Sequence, residues 1–291
     1  MLLSDQRLRY SFLKSNLVNI HLDNHDREVE KLYSFPRDFR SNFWFNSLAR
    51  FSILNKYIKL VGHSVLHVES DVILSPDFPL DALNAIEKPF AFPIVSKKRG
   101  IASTLLIKDE DASEFLWKFS QKMVQENSLA SDMEILFQLN QRHPELVFQL
   151  PIAPQALTAN KSNVFVEPNL GGCFDGHDFG VYLAGTNPWN ARGLSKLHTK
   201  IPESLLQFES SNIIFDNSRK FVSLKIKSST IPVKLFSLHI TNKNPLFFGH
   251  LTASHTLAFW IEGLRNLKFT FHPLVWLFMS ARFLKKRLWQ N

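Results

Sequence analysis

Cysteine, glycine and long apolar runs are all scarce in this 291-residue chain. A single cysteine, Cys173, excludes a disulfide framework and any zinc site built from several thiolates at short spacing. Such usage fits a reducing compartment. Only ten glycines occur, and none falls in a G-x-G-x-x-G or G-x-x-x-x-G-K-[ST] arrangement, so Rossmann dinucleotide binding and P-loop chemistry lose their sequence support. No window approaches the ~18 uninterrupted apolar residues that suggest a membrane span. Asp5, Arg7 and Arg9 break up the first ten residues, which therefore do not read as a signal peptide. The expectation is a cytoplasmic protein.

What the chain has is enough apolar material for a full core: 45% hydrophobic against 21% charged residues. The 34 Lys and Arg against 26 Asp and Glu leave 34 − 26 = +8, with a sequence pI near 9.5. Much of that excess sits in one run, Arg282, Lys285, Lys286 and Arg287, with no RNP, helix-turn-helix or zinc-knuckle pattern beside it. The charge therefore points to an anionic surface or a phosphate-bearing ligand rather than to nucleic acid.

Periodicity divides the chain into alternating elements. Ser41 or Asn42 can cap a helix whose apolar positions Phe45, Leu48, Phe51, Leu54 and Ile58 recur at three- and four-residue steps. Val65 to Val68 reads as a short buried strand. A helix from about Asp111 presents Phe115, Leu116, Phe119 and Met123 on one face. Another starts near Ser131 or Asp132 and stops at His143-Pro144. Asn163 to Glu167, Phe221 to Lys227 and Val233 to Ile240 read as strands, and Leu17 to Leu22 can supply one more. Gly171 to Gly193 is loop material, and the last forty residues return to helical spacing. Interleaved strands and helices predict an α/β layered fold.

The stretch richest in chemistry is Val65-Leu-His-Val-Glu69-Ser-Asp71. Two carboxylates one residue apart at the end of an apolar strand stand where α/β folds bind ligands. They read either as an acidic turn or as ligands for a hard cation such as Mn²⁺ or Mg²⁺. His239, late in the apolar strand Val233 to Ile240, reads either as a core histidine or as a metal ligand, with Lys243 following in reach of a phosphate. His177 and Trp189 lie in the glycine-rich stretch and read either as packing or as a platform for a sugar.

In order, these segments resemble the GT-A glycosyltransferases. Arg50 in Leu48-Ala-Arg50-Phe-Ser-Ile-Leu-Asn-Lys-Tyr-Ile58, followed by Val65-Leu-His-Val-Glu69-Ser-Asp71-Val-Ile-Leu74, is similar to the "RL…YI…VLYLDxDV" arrangement of the glycogenin-like and lipooligosaccharide galactosyltransferase group. Gly100 to Lys108 resembles the "FNAGVLLINL" strand, and Ala130-Ser-Asp132-Met-Glu134 the "QDQDIL" helix start. Phe174-Asp175 through Asn190 resembles the "FDxxxxGxYLxGxDPxN" segment of bacterial surface-polysaccharide transferases, and Leu238 to Lys243 their "LHIHSK". Together the matches span roughly residues 45–250.

The resemblance implies a mixed sheet flanked by helices over residues 1–250, with a basic helical extension over residues 251–291. It implies that Glu69, Asp71 and His239 hold Mn²⁺ or Mg²⁺, with Glu69 where the family has Asp. Arg50 and Lys243 would contact the phosphates of a nucleotide sugar, UDP-linked in the closest group. Asp132 would face the donor sugar, although Met133 stands where the family has Gln. Asp175, or failing it Asp178, would serve as base if the reaction inverts; the group leans towards retention. Only 68 residues precede Glu69, so the usual leading strand and helix are short, missing, or encoded upstream. The implied partners are a nucleotide-sugar donor and a bacterial surface glycan or lipid-linked acceptor, with no nucleic acid. Leu274, Leu277, Ala281, Leu284 and Leu288 form an apolar stripe beside Arg282 and Lys286, which reads either as domain packing or as a helix lying on the inner face of the cell membrane. A different class also fits the same residues: a non-catalytic membrane-surface or glycan-binding protein descended from a transferase.

Overall fold

A computed structural model describes residues 2–3, 17–18, 43–75, 77–152, 170–180, 213–216, 223–226 and 233–239. The expected strand at Asn163 to Glu167, the residues Trp189 and Lys243, and the C-terminal extension lie outside the described residues. The chain is mixed α/β. Strands β1 (Leu2–Leu3) and β2 (Leu17–Val18) pair in parallel. Helix α1 (Phe43–Val61) leads into β3 (Val65–Val68) and β4 (Val72–Leu74). There follow α2 (Leu80–Asn84), β5 (Phe90–Ser96), β6 (Arg99–Gly100), β7 (Thr104–Ile107), α3 (Glu110–Glu126) and α4 (Asp132–Arg142). A 3-10 turn at Pro144–Leu146 precedes β8 (Val147–Leu150), and the remaining strands are β9 (Gly172–Phe174), β10 (Ile213–Asp216), β11 (Ser223–Ile226) and β12 (Val233–His239).

The helices start where local chemistry satisfies their first N–H groups. Asp109 accepts from Ala112 N at 2.8 Å, which starts α3 one residue earlier than the expected Asp111. Ser131 Oγ accepts from Glu134 N at 3.2 Å and opens α4. His143 closes α4 ahead of Pro144, as the sequence predicts.

Two sheets carry the fold. The first has the order β3-β7-β5-β6, antiparallel throughout, with β8 joining β5 in parallel. Its alternating side chains feed two cores. Phe90, Phe92, Leu105 and Ile107 pack with Leu48, Phe51 and Leu54 of α1, Leu116 of α3 and Leu136 of α4. On the other face, Ala91, Leu106 and Leu150 pack with Leu83 of α2, Phe174 of β9 and Phe236 of β12. The second sheet runs β10-β11-β12-β4, with β9 parallel to β12. Truncating Phe51, only 1% exposed, to Ala would cost about 3–5 kcal/mol.

Two stretches differ from the sequence reading. Gly171 to Gly193 is not all loop: it contains β9, and residues 178–180 begin a helical turn. Pairing to β12 overrides the turn-forming composition there. Strand β5 has no sequence-based counterpart, because burial on both faces removes the alternation that marks a half-buried strand.

Candidate metal and phosphate site

The candidate residues meet where the two sheets join. Strand β3 ends at Val68, and the chain turns at once, with Val72 N donating to the Glu69 carbonyl at 3.0 Å. Ser70 and Asp71 form the tip of that turn, and the chain re-enters as β4. Strand β4 runs antiparallel to β12, with Val72 opposite His239. This register sets His239 beside Asp71 although the two are far apart in sequence.

The resulting cluster is close. One ligand atom each from Glu69, Asp71 and His239 lies within 4.8 Å of the others. His239 Nε2 stands 3.5 Å from Glu69 Oε2 and 3.4 Å from Asp71 Oδ1. Its other nitrogen, Nδ1, lies 3.0 Å from the Gly176 carbonyl, which accepts its proton. A backbone acceptor on Nδ1 fixes the ring and directs Nε2 at the carboxylates, as for a histidine that ligates a metal. Two carboxylate oxygens and an imidazole nitrogen form a donor set suited to Mn²⁺, and the residues fit such an ion.

Arg50, on α1, completes the charge pattern. It donates from Nη1 to Glu69 Oε1, and Asp132 Oδ2 is 3.7 Å from the same nitrogen. Burial works against the guanidinium charge, but Asp132 and Glu69 hold it protonated. Burial likewise opposes ionisation of Glu69, yet Arg50 and His239 keep its carboxyl below the ordinary value. Asp132, at the first position of α4, is pushed up by burial against the pull of Arg50. For His239, burial favours the neutral ring, but a hydrogen bond to Asp71 and the charge of Glu69 raise it to about 9. The two carboxylates thus favour the protonated form of the ring. His67, two residues before Glu69, is held neutral: burial first, then the Arg50 charge, lower it to about 4.

Asp175 is tied to the backbone on both carboxylate oxygens. Its carboxylate accepts from His177 N (2.9 Å) and Phe179 N (3.0 Å) on Oδ1, and from Gly180 N (2.8 Å) and His239 N (2.9 Å) on Oδ2. It is 1% exposed. Burial raises its pKa, opposed by His239 and these backbone donors. These four bonds make Asp175 a brace that ties residues 175–180 to the end of β12, and a carboxylate so engaged would have to release one of them to take a proton from an acceptor hydroxyl. Gly180 is required by this brace, since a Cβ there would stand 1.7 Å from the His239 carbonyl oxygen. Asp178 is also buried, with Oδ1 4.0 Å from His177 Nδ1.

His177 lies against the cluster, its ring edge-on to His239 with centroids 5.7 Å apart. Burial, then the charges of His239 and Arg99, lower it to about 4. Cys173 is buried with its thiol directed at the Lys234 carbonyl, and burial pushes its pKa up, which fits the inert role of a small apolar residue.

Thus the structure brings Arg50, Glu69, Asp71, Asp132 and His239 into one site and sets Asp175 behind it. The sequence reading missed the Gly176 carbonyl, and it placed Gly180 only as the glycine of the "FDxxxxGxYLxGxDPxN" resemblance, without a role. Among the described residues, no helix is long and apolar enough to cross a membrane. Compared with known proteins, the chain matches no family model and no curated protein sequence.

Proposed function

We propose that the chain is a GT-A-like, metal-dependent glycosyltransferase that moves a sugar from a nucleotide-sugar donor, with UDP-sugars as the first choice, to a bacterial surface glycan or lipid-linked acceptor. The observation that carries this reading is the convergence of Glu69, Asp71 and His239, with Arg50 and Asp132 beside them. Such a site suits a diphosphate held through a divalent ion. Bound there, the ion would neutralise charge on the departing nucleoside diphosphate as the sugar–phosphate bond breaks.

The chain's own residues divide the remaining work. Arg50 fixes Glu69 through Oε1 and leaves Oε2 turned towards His239. The Gly176 carbonyl keeps the His239 ring in one orientation. Asp132, at a helix N-terminus and 3.7 Å from Arg50, is the polar group offered to the transferred sugar. Commitment of Asp175 to backbone donors weighs against its use as a base and supports a retaining course. Lys243 would contact the diphosphate, and the C-terminal extension would hold the enzyme on the inner face of the membrane.

One observation favours a non-catalytic, glycan-binding alternative: Arg50 already occupies one oxygen of Glu69. Calorimetry and thermal shift with UDP and Mn²⁺ separate the two. A transferase binds UDP only with Mn²⁺, gains ~2.7 kcal/mol of stability at about 100 times the dissociation constant, and hydrolyses UDP-sugars in an EDTA-sensitive way. No Mn²⁺-dependent binding of UDP would overturn the proposal.

A further inference from the structure

The hairpin joining β5 to β6 carries three consecutive exposed basic residues, Lys97, Lys98 and Arg99. Its place follows from the pairing. Strand β3 runs towards Glu69 antiparallel to β7, and β7 runs antiparallel to β5. The C-terminal ends of β3 and β5 therefore share one edge of the sheet, and the hairpin projects from the edge that bears the acidic turn.

Two contacts hold the hairpin there. Gly176, whose carbonyl orients His239, lies so close to β5 that a Cβ on it would be 2.1 Å from Val95 Cγ1. On the other side Gly100 rests on α4, where a Cβ would stand 2.8 Å from Leu136 Cβ. Ser96 Oγ accepts from Lys98 N at 3.2 Å and closes the tip. Among the described residues no carboxylate lies within ion-pairing distance of Lys97, Lys98 or Arg99, whereas the exposed Lys59, Lys118 and Arg142 each have one. This edge of the sheet thus bears the acidic cluster and, on the hairpin packed against Gly176, a rim of three cationic side chains.

We propose that Lys97, Lys98 and Arg99 form a second subsite, distinct from the metal cluster, for a phosphate group carried by the acceptor. The proposal deepens the transferase reading and rests on it for the word acceptor. Phosphate matches the residues: the guanidinium can grip two of its oxygens at once and the ammonium groups serve as point charges. The acidic cluster disfavours the same anion a few residues away unless a metal is present, so the rim gives an acceptor phosphate a place of its own. A phosphate on a soluble glycan and one in a lipid headgroup present the same chemistry here.

The test compares the full chain with Lys98→Ala/Arg99→Ala and with Lys118→Ala/Lys122→Ala, which removes as many exposed positive charges from α3, away from the site. Amide shifts are followed on titration with inorganic phosphate, flotation is measured with phosphatidylcholine vesicles containing or lacking phosphatidylglycerol, and UDP binding with Mn²⁺ is measured alongside. In the intact chain phosphate should move the amides of residues 96–100 and 177; in the rim variant its affinity should fall at least about tenfold, with the α3 variant and Mn²⁺–UDP binding unchanged. If vesicle binding falls with it, the phosphate is lipid-borne; if only the phosphate shifts change, it is carried by a soluble acceptor. Equal phosphate affinity in the rim and α3 variants would overturn the subsite. Loss of Mn²⁺–UDP binding in the intact chain would instead overturn the transferase reading and leave the phosphate result standing.

Discussion

The acidic turn at Glu69 to Asp71 and the loop at Asp175 to Gly180 both place carboxylates at the seam between the sheets, yet they do opposite things. Glu69 and Asp71, about one-fifth exposed, face the charged side chains of Arg50 and His239. Asp175 accepts its four hydrogen bonds from backbone N–H groups, and these hold the protein together. The partner decides the role. A carboxylate satisfied by main-chain N–H groups has its charge spent on structure, while one balanced by movable side chains can exchange that partner for a ligand.

The sharpest way to break this comparison is Asp175→Ala. It would leave four N–H groups, three of them buried, without their acceptor, so we expect a loss of about 3–5 kcal/mol in urea unfolding. A loss below about 1 kcal/mol would show that the brace does not matter.

The next effect is on pH. His239 has a folded pKa raised to about 9 from 6.5, so its contribution is fully present below 6.5 and is lost as pH rises through about 9. Metal-free protein should weaken over that window by up to about 3 kcal/mol, taking 1.36 kcal/mol per pKa unit. His239→Gln should flatten that slope in unfolding measured at a series of pH values. A steep slope retained in the variant would assign it to another group.

Asp71→Asn tests the other half of the comparison. Mn²⁺ affinity, followed by calorimetry, should fall about 100-fold, as expected on losing a charged ligand, with stability changed by no more than about 1 kcal/mol. Unfolding of this variant would mean that the turn carries structure after all. The smallest effect belongs to Ser131→Ala, since Ser131 accepts a single N–H where Asp175 accepts four. Thermal unfolding should report about 1 kcal/mol, with Asp132 and Mn²⁺ binding little affected.

Legibility in the sequence followed the range of the interactions involved. Helix α4 was readable because Ser131, Glu134, His143 and Pro144 act on their own neighbours. Strand β12 was readable because its apolar run is bounded by turn-forming residues. Strand β5 was not, since Pro93 lies within it and both its faces are covered. Glu69, Asp71 and His239 were each visible as candidates, but their meeting depends on the pairing of Val72 with His239, a long-range register that no local pattern encodes. The role of Asp175 was hidden for the same reason: one of its four donors, His239 N, lies on β12, 64 residues further along the chain.

That distance has a consequence for folding. Glu69 and His239 are 239 − 69 = 170 residues apart, and they come together only after β12 has paired with β4. Closing so long a loop is entropically costly and belongs to the slow, non-local part of folding. A chain whose helices and first sheet have formed would still lack the assembled cluster. An ion that bridges these residues would act as a clasp on the completed molecule, so the rate at which Mn²⁺ binding appears during refolding should report the docking of the second sheet rather than the collapse of the first.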